Sequence, residues 1–216
     1  MRYRHELKYA IGNHDAHIIS RRLSAVMRPD SHGGVYRVHN LYFDDMYGSA
    51  YHDKMRGCLR RSKWRVRYYN GDLGFIRLER KAREGQLTYK ESAPLTPEQL
   101  CRLRRCDFGC ITPPVSPLLA SFLAARAVRR LRPAAEFSYV RQAYTYAPGD
   151  VRVTLDSGVG TGVPGLAPTG ILELKYGSFL PRVISDILGG VGLRRTEMSK
   201  YCYVAGYERS MKPHAR

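Results

Sequence analysis

Five segments of this chain alternate charged and apolar side chains without interruption, and that pattern limits the fold more than any other feature. Successive side chains of a β-strand point to opposite faces, so a period of two builds a strand with two chemically different sides. Arg4-His5-Glu6-Leu7-Lys8-Tyr9 sets Arg4, Glu6 and Lys8 against Leu7 and Tyr9. Lys63-Trp64-Arg65-Val66-Arg67-Tyr68 sets Lys63, Arg65 and Arg67 against Trp64, Val66 and Tyr68. Arg77, Glu79 and Lys81 share one side of the segment Ile76 to Lys81, and Arg152, Thr154 and Asp156 one side of Val151 to Asp156. Glu173 and Lys175 share a side in Leu172 to Tyr176.

The ordinary meaning of such alternation is a sheet with one solvated face. Here, however, the polar faces hold arginine and lysine with few carboxylates and almost no neutral polar residues. By the same parity Lys90 shares a side with Thr88, and Arg141 sits in a strand from about Glu136 to Tyr146. Against these cations stand Glu6, Glu79, Asp156 and Glu173. The whole chain carries 36 Lys+Arg against 19 Asp+Glu, a formal charge of +17. Such an excess repels itself in a compact state and points to an anionic partner: nucleic acid, an anionic membrane surface or a polyphosphorylated small molecule. A curled antiparallel sheet can line its inside with the charged faces while the apolar faces pack outward on helices. The expected fold is therefore α+β, an antiparallel eight-stranded β-barrel with a charged interior and helices outside.

Helices fill the intervals. The pattern predicts one from Asn13 to about Met27 with Ile19, Leu23 and Val26 on its apolar face. Thr96-Pro97-Glu98-Gln99 is a capping box with proline at the first helical position, opening a helix to about Arg105. Ser116-Pro117 opens another, and 181–188 and 199–209 also read as helical. No linker or internal repeat divides the chain, so a single domain over 1–216 is expected. No stretch approaches the roughly 20 apolar residues needed to span a bilayer. The charged N-terminus is not a secretory signal, and five cysteines, an odd number, suit a reduced, cytoplasmic chain.

Several motifs have bland readings. The glycine-proline stretch from Ser157 to Gly170 lacks a P-loop ending and leads into a strand. Cys101, Cys106 and Cys110 make only half of a structural zinc set. Asp44 and Asp45 read as turn residues. No nucleophile-base arrangement is evident. Nucleic-acid strands interleave aromatics with cations for stacking, whereas Tyr9, Trp64, Tyr68 and Tyr176 lie opposite the cations, so nucleic acid is not the expected partner. Ser199-Lys200-Tyr201 opens the last helix, where free N–H groups and Lys200 favour an anion.

Taken in order, eight stretches resemble the VTC (vacuolar transporter chaperone) domain, the polyphosphate polymerase domain of the triphosphate tunnel superfamily. They are Glu6-Leu7-Lys8-Tyr9, Leu41-Tyr42-Phe43-Asp44, Arg65-Val66-Arg67-Tyr68, Leu78-Glu79-Arg80-Lys81, the strand Tyr139 to Tyr144, Val151 to Asp156, Leu172 to Tyr176 and Ser199-Lys200-Tyr201. The resemblance implies a metal-dependent phosphotransferase moving the γ-phosphoryl of ATP to a growing inorganic polyphosphate chain. It implies that Lys8, Arg65, Arg67, Lys81, Lys90, Arg141, Arg152 and Lys200 hold the triphosphate or polyphosphate, with Ser199 beside them. Glu173 would hold a divalent metal, Mn²⁺ or Mg²⁺. Parity adds Arg4, Lys63, Arg77 and Lys175 as phosphate ligands, and Glu6 and Glu79 as further candidate metal ligands. The superfamily's hydrolases open with Glu-x-Glu-x-Lys, and this chain has Arg4 at the first acidic position. A tunnel-type triphosphatase and a non-catalytic polyanion-binding module are the alternatives.

Overall fold

The computed structural model describes residues 5–85, 87–113, 116–160, 163, 165–166 and 169–211. In chain order they form β1 (His5–Ile11), α1 (Asn13–Ser24), β2 (Arg28–Pro29), β3 (Val35–Asp44), α2 (Ser49–Met55), β4 (Arg60–Tyr69), β5 (Asp72–Glu84), β6 (Leu87–Leu95), α3 (Pro97–Arg104), α4 (Pro117–Arg129), β7 (Arg132–Tyr146), β8 (Val151–Val159), β9 (Thr169–Tyr176), α5 (Arg182–Leu188), β10 (Arg194–Arg195) and α6 (Lys200–Met211). The class is α+β. Every strand pairing described here is antiparallel. The expected eight strands are present, and β2 and β10 add two more of only two residues each.

The chain forms two compact units: Met1–Arg37 with Ser138–Ser199, and Val38–Phe137 with Lys200–Arg216. In the first, the strands run β10-β1-β9-β8-β7. The register sets Leu7 opposite Leu174, Val153 opposite Leu174 and Leu155 opposite Leu172, which makes one face apolar. That face joins a core with Ile19 and Leu23 of α1 and Ile184 and Leu188 of α5. Ile19 and Leu23 are one helical turn apart, as an amphipathic helix requires. Val26, expected on the same stripe, lies past the helix end and is exposed.

In the second unit the order is β3-β4-β5-β6. Leu41, Phe43, Trp64, Val66, Leu78 and Ala93 share a face and pack against Leu100 and Leu103 of α3 and Phe122 of α4. The capping box forms as the sequence predicts: Thr96 accepts from Gln99 N–H and Gln99 accepts from Thr96 N–H. Ser116 caps α4 through Leu119 N–H. The short helix α2 has no sequence signal of its own. It is capped by Asp44, the last residue of β3, whose carboxylate accepts from the N–H groups of Ala50 and Tyr51.

A two-residue turn joins β4 to β5. Asn70 and Gly71 both take positive φ, 51° and 76°, the backbone that a tight hairpin demands. Tyr69 closes the turn opposite Asp72, after which the register slips so that Arg67 faces Arg77. The slip is an odd number of residues, and an odd slip exchanges the two faces of a strand. The cations of β5 thereby join those of β4, while Ile76 and Leu78 join the core. The ladders end at β10 in the first unit and β6 in the second.

Candidate functional site

The second unit's charged face is built in rows, because residues directly opposite in an antiparallel pair point the same way. One row runs Lys63, Lys81, Lys90 across β4, β5 and β6. The next is Tyr42, Arg65, Glu79, Ser92, and the third Asn40, Arg67, Arg77, Pro94. Like charges directly opposite one another destabilise a sheet. Two consecutive lysine pairs and an arginine pair on one face need a physical reason, and a bound polyanion supplies one. Lys81 and Lys90 are exposed. Hydration keeps that row tolerable in the free protein.

Glu79 is the carboxylate at the centre. It accepts from Arg65 Nη2 at 2.6 Å and Nε at 2.7 Å, and it contacts Lys90 Nζ. Burial works to raise its pKa, but Arg65, Arg67 and Lys90 outweigh burial and hold it at about 2. Arg65 also donates to the Tyr42 hydroxyl at 3.0 Å. Burial again pushes that phenol up, and Arg65, Arg67 and Lys63 bring it down to about 8. Arg67 donates from Nε to Asn40 Oδ1 at 3.0 Å. An arginine can only donate, so this bond fixes the amide's orientation. The Asn40 Nδ2 group is then left buried with no acceptor, and it belongs to the Arg67 row. A donor in that position suits an incoming anion.

The start of α6 meets the same face. The Tyr201 ring stacks on Tyr42 with centroids 4.9 Å apart, and its hydroxyl donates to Asp44 at 2.6 Å. Lys63 Nζ lies 5.2 Å from the Tyr201 ring centre and 3.5 Å from Cys202 Sγ, and burial lowers its pKa. Lys200 is the first residue of this helix and Ser199 precedes it.

The first unit's charged face has a different balance. Glu6 lies opposite Lys175, Lys8 opposite Glu173, Arg152 opposite Lys175, and Arg141 opposite Asp156. Lys8 reaches Glu6 at 2.8 Å, and Lys175 reaches Glu173 at 2.9 Å and Glu6 at 4.0 Å. Arg141 grips Asp156 through two bonds of 2.6 and 2.8 Å. Arg152 bonds Asp30 at 2.7 Å and Tyr36 at 3.2 Å. Burial alone would lower Lys8, yet Glu173 and Glu6 raise it. Asp156 and others likewise raise Arg141 against its burial. Each of these four cations has a carboxylate, while the second unit's face depends mainly on Glu79.

Of the residues expected from the sequence, Lys63, Arg65, Arg67, Arg77, Glu79, Lys81 and Lys90 share the second unit's face. Glu6, Lys8, Arg141, Arg152, Glu173 and Lys175 share the first unit's. Arg4 lies outside the described residues. Sequence parity put Thr154 on the charged side of its strand, but it did not single out Asn40, Tyr42, Asp30 or Tyr36. The aromatics Tyr9, Trp64, Tyr68 and Tyr176 fall on the faces opposite the cations, as expected.

A divalent ion is the group to test against the carboxylates. No cluster of three or more His, Cys, Asp or Glu is arranged for a metal among the described residues. Glu6 and Glu173 nonetheless share a face and both approach Lys175 Nζ. Directly opposite Glu173 is Thr154, whose Oγ1 is buried without a hydrogen-bond partner. Two carboxylates and a hydroxyl are hard oxygen donors, which suit Mg²⁺ or Mn²⁺ completed by substrate phosphates.

No individually curated protein matches the chain. Among solved structures, it is similar to the adenylyl cyclase candidate HpAC1 from Hippeastrum, described as having a dominant triphosphatase activity: 18% identity, 97% of each chain covered, TM-score 0.63. It is also similar to a candidate adenylate cyclase from Bacillus halodurans, at 13% identity over 90% of this chain and 92% of that one, with TM-score 0.61. The PH1819 protein from Pyrococcus horikoshii matches at 13% identity over 96% and 99%, with TM-score 0.51. No helix among the described residues is long and apolar enough to cross a membrane. The VTC domain profile matches residues 3–207, and the chain belongs to the VTC domain family.

Proposed function

We propose that this protein acts on triphosphates, and that it is a polyphosphate polymerase transferring the γ-phosphoryl of ATP to a growing polyphosphate chain. The observation that carries the reading is the stack of like-charged rows, Lys63-Lys81-Lys90 and Arg67-Arg77, with Glu79 between them. Phosphoryl transfer depends mainly on positioning and on charge stabilisation over the phosphate oxygens. Arg65 and Arg67 would supply planar forks and the lysines mobile point charges. Lys8, Arg141, Arg152 and Lys175 on the first unit's face, and Ser199 and Lys200 at the start of α6, are assigned as further phosphate ligands by resemblance and parity. Glu6 and Glu173 would hold the divalent ion, which when bound neutralises phosphate charge. Glu79 is engaged by Arg65 and Lys90, so we assign it to ordering those cations. An acceptor phosphate is already ionised near neutral pH, so no general base is required.

The second reading is a triphosphatase, favoured by the activity described for the Hippeastrum protein. Incubating the protein with ATP and Mn²⁺ and resolving products on a gel separates the two. Long-chain phosphate supports the polymerase; ADP and free phosphate alone support hydrolysis. Arg65→Ala and Arg67→Ala should each lose about 2–4 kcal/mol of transition-state stabilisation, by analogy with oxyanion donors.

A further inference from the structure

Arg28 opens β2, the two-residue strand on the edge of β7 that faces away from β8. It lies directly opposite Thr145, Thr145 lies opposite Arg152, and Arg152 lies opposite Lys175. Residues directly opposite in an antiparallel pair point the same way, so Arg28 heads a row across β2, β7, β8 and β9. Its neighbours fix the direction independently. Pro29 lies opposite Tyr144, and Tyr144 and Met27 belong to the apolar core. Asp30, two residues after Arg28, bonds Arg152 on the charged face. The Thr145 hydroxyl donates to the Arg28 carbonyl at 3.4 Å, and the Asp30 N–H donates to the Ala143 carbonyl at 3.0 Å. These bonds hold the short strand against β7.

Charge along this row is unevenly compensated. Arg152 has Asp30 at 2.7 Å and Lys175 has Glu173 at 2.9 Å. Arg28 is exposed, and among the described residues no carboxylate pairs with its guanidinium. Arg152 is held in place from one corner, because its Nη2 donates to both Asp30 and Tyr36. Asp30 is itself fixed by the Tyr36 hydroxyl at 2.9 Å and the His32 N–H at 3.1 Å. The remaining edge of the Arg152 fork is left for a phosphate oxygen. At roughly 4.8 Å per strand, Arg28 and Lys175 stand about 14 Å apart along the sheet. A chain of phosphates can touch Arg28, Arg152 and Lys175 together; a triphosphate is too short to span them.

We propose that Arg28 sets a preference for chain length, contacting phosphates of a polyphosphate that lie beyond the reach of a triphosphate. The inference rests on the reading that a polyphosphate occupies the first unit's charged face. The test compares long-chain inorganic polyphosphate with tripolyphosphate, each titrated calorimetrically into the full chain without nucleotide or metal. Arg28→Ala should reduce the preference for the long chain at least threefold, and Arg28→Glu at least tenfold. Arg21→Ala removes the same charge from an exposed position on α1 and should leave the preference unchanged. Circular dichroism verifies that each variant folds. The inference alone is overturned if the parent binds both anions and neither Arg28 variant alters the preference. It is equally overturned if Arg21→Ala alters the preference as much as Arg28→Ala does. A parent that binds neither anion overturns the proposed function together with it. No turnover is read, so the choice between polymerase and hydrolase does not enter the result.

Discussion

Lys63 and Lys81 stand directly opposite each other across β4 and β5, and Lys90 stands opposite Lys81 on the next strand. A lysine flanked on both sides by lysines is a cost to the free protein and an asset to a polyanion complex. Lys81→Ala should therefore stabilise the free protein by about 0.2–1 kcal/mol while weakening tripolyphosphate binding and flattening its salt dependence. Thermal melts with and without tripolyphosphate measure both signs. A variant less stable than the parent in its absence would show that the row is not repulsive.

Glu79 predicts an acid-sensitive step. Its folded pKa of about 2 lies below the ordinary 4.5. A depressed carboxylate contributes stability that is complete above the unfolded pKa and is lost as pH falls through the folded one. The loss should run from about pH 4.5 down to about pH 2 and amount to roughly 2–3 kcal/mol, at the lower end because Lys90 is half exposed. Denaturant melts across this range should show the step in the parent and not in Glu79→Gln.

Asn40 predicts a separation of stability from binding. Asn40→Asp keeps an oxygen for Arg67 but replaces the buried, unpartnered donor with a second acceptor. Tripolyphosphate affinity should fall about tenfold, the size of one good hydrogen bond to a charged group, and the melting temperature should not fall. Undiminished affinity would remove Asn40 from the ligand set.

Tyr42 predicts a spectroscopic signal. Of the 16 tyrosines, this one should ionise near pH 8, giving an early step in ultraviolet titration that is absent from Tyr42→Phe. An anion bound at Arg65 and Arg67 offsets the charges that favour the phenolate. Added tripolyphosphate should accordingly move the midpoint upward. A midpoint that stays put would mean the anion does not bind beside these arginines.

The alternation of Glu6 to Tyr9, Lys63 to Tyr68 and Leu172 to Tyr176 was enough to identify strands and to say which side chains travel together. Alternation is local, set by backbone geometry within a single strand. The capping box at Thr96 and the helix start at Ser116 were legible for the same reason. The buried donor of Asn40 and the unpartnered hydroxyl of Thr154 were not, because an unpartnered atom is a property of what fails to surround it. Parity put Glu6 with Lys8, Glu173 with Lys175 and Asp156 with Arg152, but it could not tell that these strands gather on one face with Arg141, nor that Asp30 pairs Arg152 there.

What the amino-acid order determined by itself is therefore two-faced strands, with the charged side chains on one side of each, and an excess of positive charge over the whole. What only the tertiary structure decided is which cations meet. Across the Asn70-Gly71 turn the register slips by an odd number of residues between Tyr69 and Arg67. Without that slip Lys63 would face the apolar parity of β5, and Arg77, Glu79 and Lys81 would point into the core. The slip is favoured because it buries Ile76 and Leu78 with Trp64 and Val66, so hydrophobic packing places the lysines opposite one another.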